Sequence, residues 1–146
     1  MKIAFYRARF GTATDWAVAA ATFGPYSHCE LVFSDGACFS SSARDGGVRF
    51  KNILLGGHWV VIMLPMLRVM EDSVRLWSEA CVGAGYDWRG MFGAAVHLPG
   101  GDAKRWFCSE ICIAALQRGY CEQVGTIRAS AYSPNALERL LMRRGG

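Results

Sequence analysis

Two periods of hydrophobicity alternate along this chain, and the points where one gives way to the other mark out its elements. Lys2 to Tyr6 is β-prone and reads as a short buried strand, broken by Arg7 to Gly11. Thr12 or Thr14 can cap the helix that follows. In it Trp16, Ala19, Ala20 and Phe23 share one face, a stripe expected in the core, and Gly24-Pro25 ends it. Ser27 to Ser34 and Ala37 to Ser42 are apolar, β-prone runs joined by Asp35-Gly36, the strongest short-range hairpin signal. A period of two sets His28, Glu30 and Val32 on one face and Cys29, Leu31 and Phe33 on the other. With Asp35 and Gly36 as the two turn residues, Glu30 lies opposite Ser41 and His28 opposite Ala43. A bulge in the turn brings Ser40 or Ser42 to that face instead.

After the loop Arg44 to Gly47, Val48-Arg49-Phe50 reads as a brief third strand. The continuous run His58 to Leu64 predicts a strand buried on both faces, a central member of the sheet. Glu71 to Val82 has helical spacing with Val74, Trp77 and Cys81 inward, and Tyr86-Asp87-Trp88 leads into a short apolar helix through Met91, Phe92 and Ala95. Leu98 to Asp102 is a glycine-rich loop, given positive charge by Lys104 and Arg105 and expected to border a cleft. From Cys108 the positions Ile111, Cys112, Ala115 and Leu116 form one buried helical face, stopped by Gly119. Gly119 to Ala131 shows no clear period, and Ser133-Pro134 opens a last helix as N-cap and N1, with Leu137, Leu140 and Leu141 inward. This order predicts a single α+β domain over residues 1–146: a small, mainly antiparallel sheet from the N-terminal half packed against helices from the C-terminal half.

Composition narrows the picture. With 146 residues, 52% hydrophobic and 19% charged, the chain can bury a core without covalent staples. No apolar run approaches the roughly 20 residues that cross a bilayer, and Met1 to Arg7 lacks the pattern of a signal peptide, so a cytoplasmic location is expected. Thiols stay reduced there, and the six cysteines read as free thiols rather than disulfides. There is no Cys-x2-Cys pair, and no metal or other cofactor is expected. The net charge of +4 comes from scattered Arg and Lys, with a small cluster at Arg139, Arg143 and Arg144. Basic and aromatic residues do not alternate as on a nucleic-acid surface, so nucleic acid is not an expected partner.

The chemistry concentrates on Cys108. At the start of a helix, unpaired backbone N–H groups and the positive end of the dipole favour a thiolate, lowering the thiol pKa from its free value of roughly 8.5. A small buried hydrophobe is the other reading of such a cysteine. His28 on a strand could take the thiol proton, a third polar group could hold its tautomer, and the helix N–H groups could form an oxyanion hole. Glu30, Ser40, Ser41 and Ser42 are candidates for the third role. For Glu30 the alternative is a solvent-facing strand residue, and His58 and His97 read as packing or surface residues.

Tyr26-Ser27-His28-Cys29-Glu30-Leu31-Val32-Phe33, then Asp35-Gly36, Tyr86-Asp87-Trp88 and Phe107-Cys108-Ser109-Glu110, resemble the circularly permuted branch of the NlpC/P60 cysteine peptidase superfamily over roughly residues 2–120. The resemblance implies a papain-like fold in which the histidine strand precedes the cysteine helix, with Cys108 as nucleophile and His28 as base. The third residue of that family is a polar side chain, often His, Glu, Asn or Gln, on the strand after the histidine strand. This chain has only Ser40 to Ser42 there, Ser41 being the register-matched choice, unless Glu30 substitutes from the histidine's own strand. Members of the family cleave amide bonds in cell-wall peptides, and others move or hydrolyse acyl groups on lipids. The resemblance therefore implies a thiol hydrolase of peptidase or amidase type acting on a peptide, a peptidoglycan fragment or an acyl-lipid. An acyltransferase with the same Cys-His pair and an inactive binding module are the alternatives.

Overall fold

In the computed structural model, which describes residues 1–95 and 104–145, the chain folds as α+β around one sheet. Its strands are β1 (Lys2–Arg7), β2 (Tyr26–Val32), β3 (Cys38–Ser42), β4 (Gly47–Lys51), β5 (Trp59–Met63), β6 (Gly85–Tyr86) and β7 (Arg105–Trp106). Its helices are α1 (Ala13–Ala21), α2 (Arg68–Cys81), α3 (Trp88–Ala95), α4 (Cys108–Arg118) and α5 (Pro134–Arg144). The sheet order is β5-β1-β2-β3-β4-β6-β7, antiparallel except where β6 meets β7. Thus the C-terminal half adds two short strands to a sheet that the N-terminal half was expected to supply.

The β2–β3 hairpin closes at Phe33 and Ala37, leaving Ser34, Asp35 and Gly36 in the loop, one more than the expected two-residue turn. Asp35 Oδ1 accepts from Ala37 N–H at 3.0 Å, and Gly36 takes φ +88°, the left-handed conformation that glycine adopts without a steric penalty. Leu31 consequently pairs with Phe39 and Val32 with Cys38. That register turns Ser41, which lies opposite the core residue Val48 on β4, toward the main core, and puts Ser40 and Ser42 on the face of His28 and Glu30.

Two expectations are corrected by burial. The run through β5 is not central: β5 pairs only with β1, forms the sheet edge, and leaves Val61 and Met63 exposed. Its apolar side chains are half-covered rather than enclosed. In α1 the period is helical, but the buried positions are Asp15, Val18, Ala19 and Thr22, while Trp16, Ala20 and Phe23 face outward. Polar bonding sets that phase. Asp15 completes a capping box with Thr12 and accepts from Ser27, and the Thr22 hydroxyl donates to Val18 C=O and accepts from Asn135 on α5.

Helix α4 is the centre of the molecule. Cys108 to Ile113 are all buried, because β2 and β3 cover one side of α4 and α2, α5 and the 3₁₀ turn Ala129–Ala131 cover others. The core groups Ile111, Cys112, Ala115 and Leu116 with Leu31, Phe39, Val74 and Leu137. Ser133 caps α5 by accepting from Ala136 N–H, with Pro134 at N1 as expected, and α2 begins at Arg68, earlier than the periodicity indicates.

Candidate active site

Cys108 is the first residue of α4 and His28 the third of β2, and the fold brings the two side chains together. The register of β1 against β2 shifts between Tyr6 and Arg7, beside His28. Burial lowers the affinity of the imidazole for a proton, but the charge of Cys108, a hydrogen bond to it, and Glu30 outweigh burial and raise the His28 pKa to about 10. The Cys108 thiol is held well below its usual range. A hydrogen bond from the Cys29 thiol favours the thiolate most, burial opposes it, and the His28 charge and hydrogen bond and the Cys29 backbone N–H add to the lowering. Both shifts run in the direction that favours thiolate and imidazolium over the neutral pair.

Glu30 supplies the third part. It is fully buried, which rules out the solvent-facing reading, and its Oε1 lies 2.7 Å from His28 Nε2. Arg49 on β4 grips the same carboxylate with two hydrogen bonds, Nη1 to Oε2 at 2.7 Å and Nη2 to Oε1 at 2.6 Å. Arg49 is itself anchored to Asp45 at 2.8 Å. Burial raises the Glu30 pKa, but His28 and Arg49 more than offset this and keep it ionised. A buried carboxylate held by a bidentate arginine cannot swing away from the imidazole, so the ring is fixed by a group whose own position is fixed.

The serines do other work. Ser41 donates to Trp106 C=O at 2.6 Å, tying β3 to β7, and Ser40 donates to Cys29 C=O at 2.7 Å. Neither hydroxyl is bonded to the imidazole, and of the candidates Glu30, Ser40 and Ser41 it is Glu30 that lies within hydrogen-bond distance of the ring. Ser42 lines the cleft. His58 stacks on Phe10 with ring centroids 4.3 Å apart, as a surface residue. His97 and the loop Leu98 to Asp102 lie outside the described residues.

A cleft of about 650 Å³ opens over His28 and Glu30, with Tyr6, Trp59, Tyr86 and Trp88 as aromatic walls and Asp15, Arg44, Arg49 and Lys51 as polar ones. Arg44 pairs with Asp15, and Lys51 with Asp45 at 2.9 Å. Cys108 itself is 1% exposed and sits behind the imidazole rather than on the cleft wall. The Tyr86 hydroxyl is pushed toward its neutral form by burial and then by the Cys108 charge, and it bonds Met91 Sδ at 3.4 Å. The α4 N-cap, Phe107, offers no side-chain acceptor to the first-turn N–H groups. Glu110 reaches back to Phe107 N–H, its second oxygen has no partner among the described residues, and burial raises its pKa to about 7.

Arg49, Cys29 and Glu110 did not stand out in the sequence as parts of the site. An arginine in a three-residue strand reads as an exposed alternation, and only the register Ser40↔Arg49 places it over Glu30. Among the described residues no group of three or more His, Cys, Asp or Glu is arranged to hold a metal ion. No family model matches the chain, and no curated protein matches it.

Proposed function

We propose that the protein is a thiol-dependent hydrolase, of the peptidase or amidase type, with the permuted papain-like arrangement of a histidine strand ahead of a cysteine helix. The observation that carries this reading is the line Cys108, His28, Glu30, Arg49: a buried cysteine at a helix start, an imidazole beside it with its pKa raised by that cysteine, and a carboxylate held on the ring's Nε2 by a bidentate arginine. The Cys108 thiolate attacks the carbonyl carbon of an amide or ester, and the oxyanion forms against the first-turn N–H groups of α4. His28 then gives its proton to the leaving amine or alcohol, a thioester to Cys108 remains, and water deprotonated by His28 releases the acid. Glu30 holds the ring and balances its charge throughout.

A simple activated ester tests the chemistry without a known substrate. With 4-nitrophenyl acetate, the reading predicts a burst of one nitrophenol per chain, an acetyl group on Cys108 by mass spectrometry, and slower turnover. Both burst and adduct disappear in Cys108→Ala and fall at least about a hundredfold in His28→Ala. Acetylation spread over several cysteines, or unchanged in His28→Ala, excludes the dyad. Accumulation of acetyl-Cys108 without turnover assigns transfer rather than hydrolysis.

A further inference from the structure

Most of the α1 face that was expected in the core is left bare, Ala19 alone of its four residues being buried. Trp16 is 57% and Phe23 83% exposed, and with Ala19 and Ala20 they line a second groove of about 650 Å³, whose charged lining residues among the described ones are Arg7 and Arg9. Asp15 and Val18, on another face of the same helix, line the candidate active-site cleft instead. Phe10, also exposed, lies under the Arg9 guanidinium at 4.5 Å. Arg139 donates to Phe23 C=O at 3.4 Å, which brings the exposed Arg139 and Arg143 side of α5 to the groove.

Two features coincide on this face, and it is their coincidence beside a groove that matters, since a left-handed, exposed aromatic is found also at Tyr120. Phe23 occupies the left-handed position that ends α1, φ +52°, where the N–H groups of Phe23 and Gly24 bond back to Ala20 and Ala19. Glycine is the usual residue there, so the chain accepts strain while presenting an aromatic ring to the outside. The second feature is charge. Arg7, Arg9, Arg139 and Arg143 make no ion pair with a carboxylate among the described residues, so no acidic side chain neutralises the positive charge that they bring to the rim of the groove.

We propose that this face docks on the surface of an anionic phospholipid bilayer, with the arginines on lipid phosphates and Trp16, Phe23 and Phe10 set into the headgroup and acyl boundary. Aromatic side chains and arginines are the residues that partition to that boundary, and an apolar patch joined to basic charge supplies the two attractions that stable surface binding needs. Among the described residues the groove is lined by no Ser, Thr, Asn, Gln, Asp or Glu side chain that could read a base edge or a peptide backbone. The proposal is independent of the chemistry at Cys108.

Cosedimentation of the full chain with vesicles tests it, comparing pure phosphatidylcholine with phosphatidylcholine containing about one third phosphatidylglycerol. The expected result is binding to the anionic vesicles alone, reversed by molar salt. Phe23→Gly combined with Trp16→Ser lowers affinity about tenfold or more, and Arg9→Glu with Arg139→Glu abolishes it. Phe23→Gly relieves the backbone, so a loss of binding with an unchanged or raised melting temperature separates docking from misfolding. Absence of binding to anionic vesicles, or binding that the Trp16 and Phe23 changes leave intact, overturns the proposal. So does tighter binding, lost in Trp16→Ser, to a short single-stranded oligonucleotide.

Discussion

Arg49 is the residue on which the geometry of the site turns. It neutralises a carboxylate that has no exposure to water, and the desolvation of Glu30 is tolerable only because both of its oxygens are bonded. Arg49→Ala leaves that charge facing His28 alone and is expected to cost about 3–5 kcal/mol in urea unfolding at neutral pH. Glu30→Gln removes the charge with it. That variant should stay folded yet lose about 10²- to 10⁴-fold in acylation rate, because an amide holds the imidazole less firmly and does not balance its charge. The pH dependence follows from the depressed Glu30 pKa. Its contribution is present above the unfolded value of about 4.5 and is lost as pH falls through the lower folded one, so Glu30→Gln should flatten the acid limb of the stability curve.

At the scale of the element, α4 carries both Cys108, the proposed nucleophile, and a buried carboxyl, Glu110. Glu110 has a pKa raised to about 7 by burial, with Asp87 adding to it, while one of its oxygens has no partner among the described residues. The unfolded chain releases this proton near pH 4.5 and the folded chain only near 7, so stability falls as pH rises through that window, by about 3 kcal/mol in all. Glu110→Gln keeps an acceptor for Phe107 N–H and removes the ionisation. It should therefore raise stability by about 3 kcal/mol at pH 8 and by about 1 kcal/mol or less at pH 5, measured by urea unfolding at both.

The elements also show what a sequence carries and what it leaves out. Periodicity placed α4, α5, the hairpin and the third strand, and Cys108 and His28 could be chosen from their positions at a helix start and on a strand. Phase was harder. In α1 the spacing of Trp16 and Phe23 was helical, but the polar residues Asp15 and Thr22 took the inward side because Ser27 and Asn135 satisfy them, and those partners are distant in sequence. The run through β5 read as central because its composition reports apolar surface and not the number of neighbours, and only β1 pairs with it. One extra loop residue at Gly36 moved Ser41 from the face of Glu30 to the core. Glu30 was recognisable as a candidate, whereas Arg49, which grips its carboxylate, is brought to it only by the sheet register.

For the molecule as a whole, the cleft reaches His28 and Glu30 but not the sulfur, which sits behind the ring at 1% exposure. Reagents must then open the site to reach it, and size should matter more at Cys108 than at Cys81, the one cysteine that is only half-buried. A bulky maleimide is expected to favour Cys81, and iodoacetamide to favour Cys108, in mass-spectrometric mapping of the same sample. The most direct test of the central claim, that Cys108 and His28 share a proton as thiolate and imidazolium, is the pH profile of that iodoacetamide reaction. The account predicts that Cys108 is alkylated ahead of the other five cysteines at mildly acidic pH, with a rate nearly constant through neutrality, and that His28→Ala removes the preference. Labelling led by Cys81, with Cys108 rising only near the ordinary thiol pKa of about 8.5 and unaffected by His28→Ala, would contradict it.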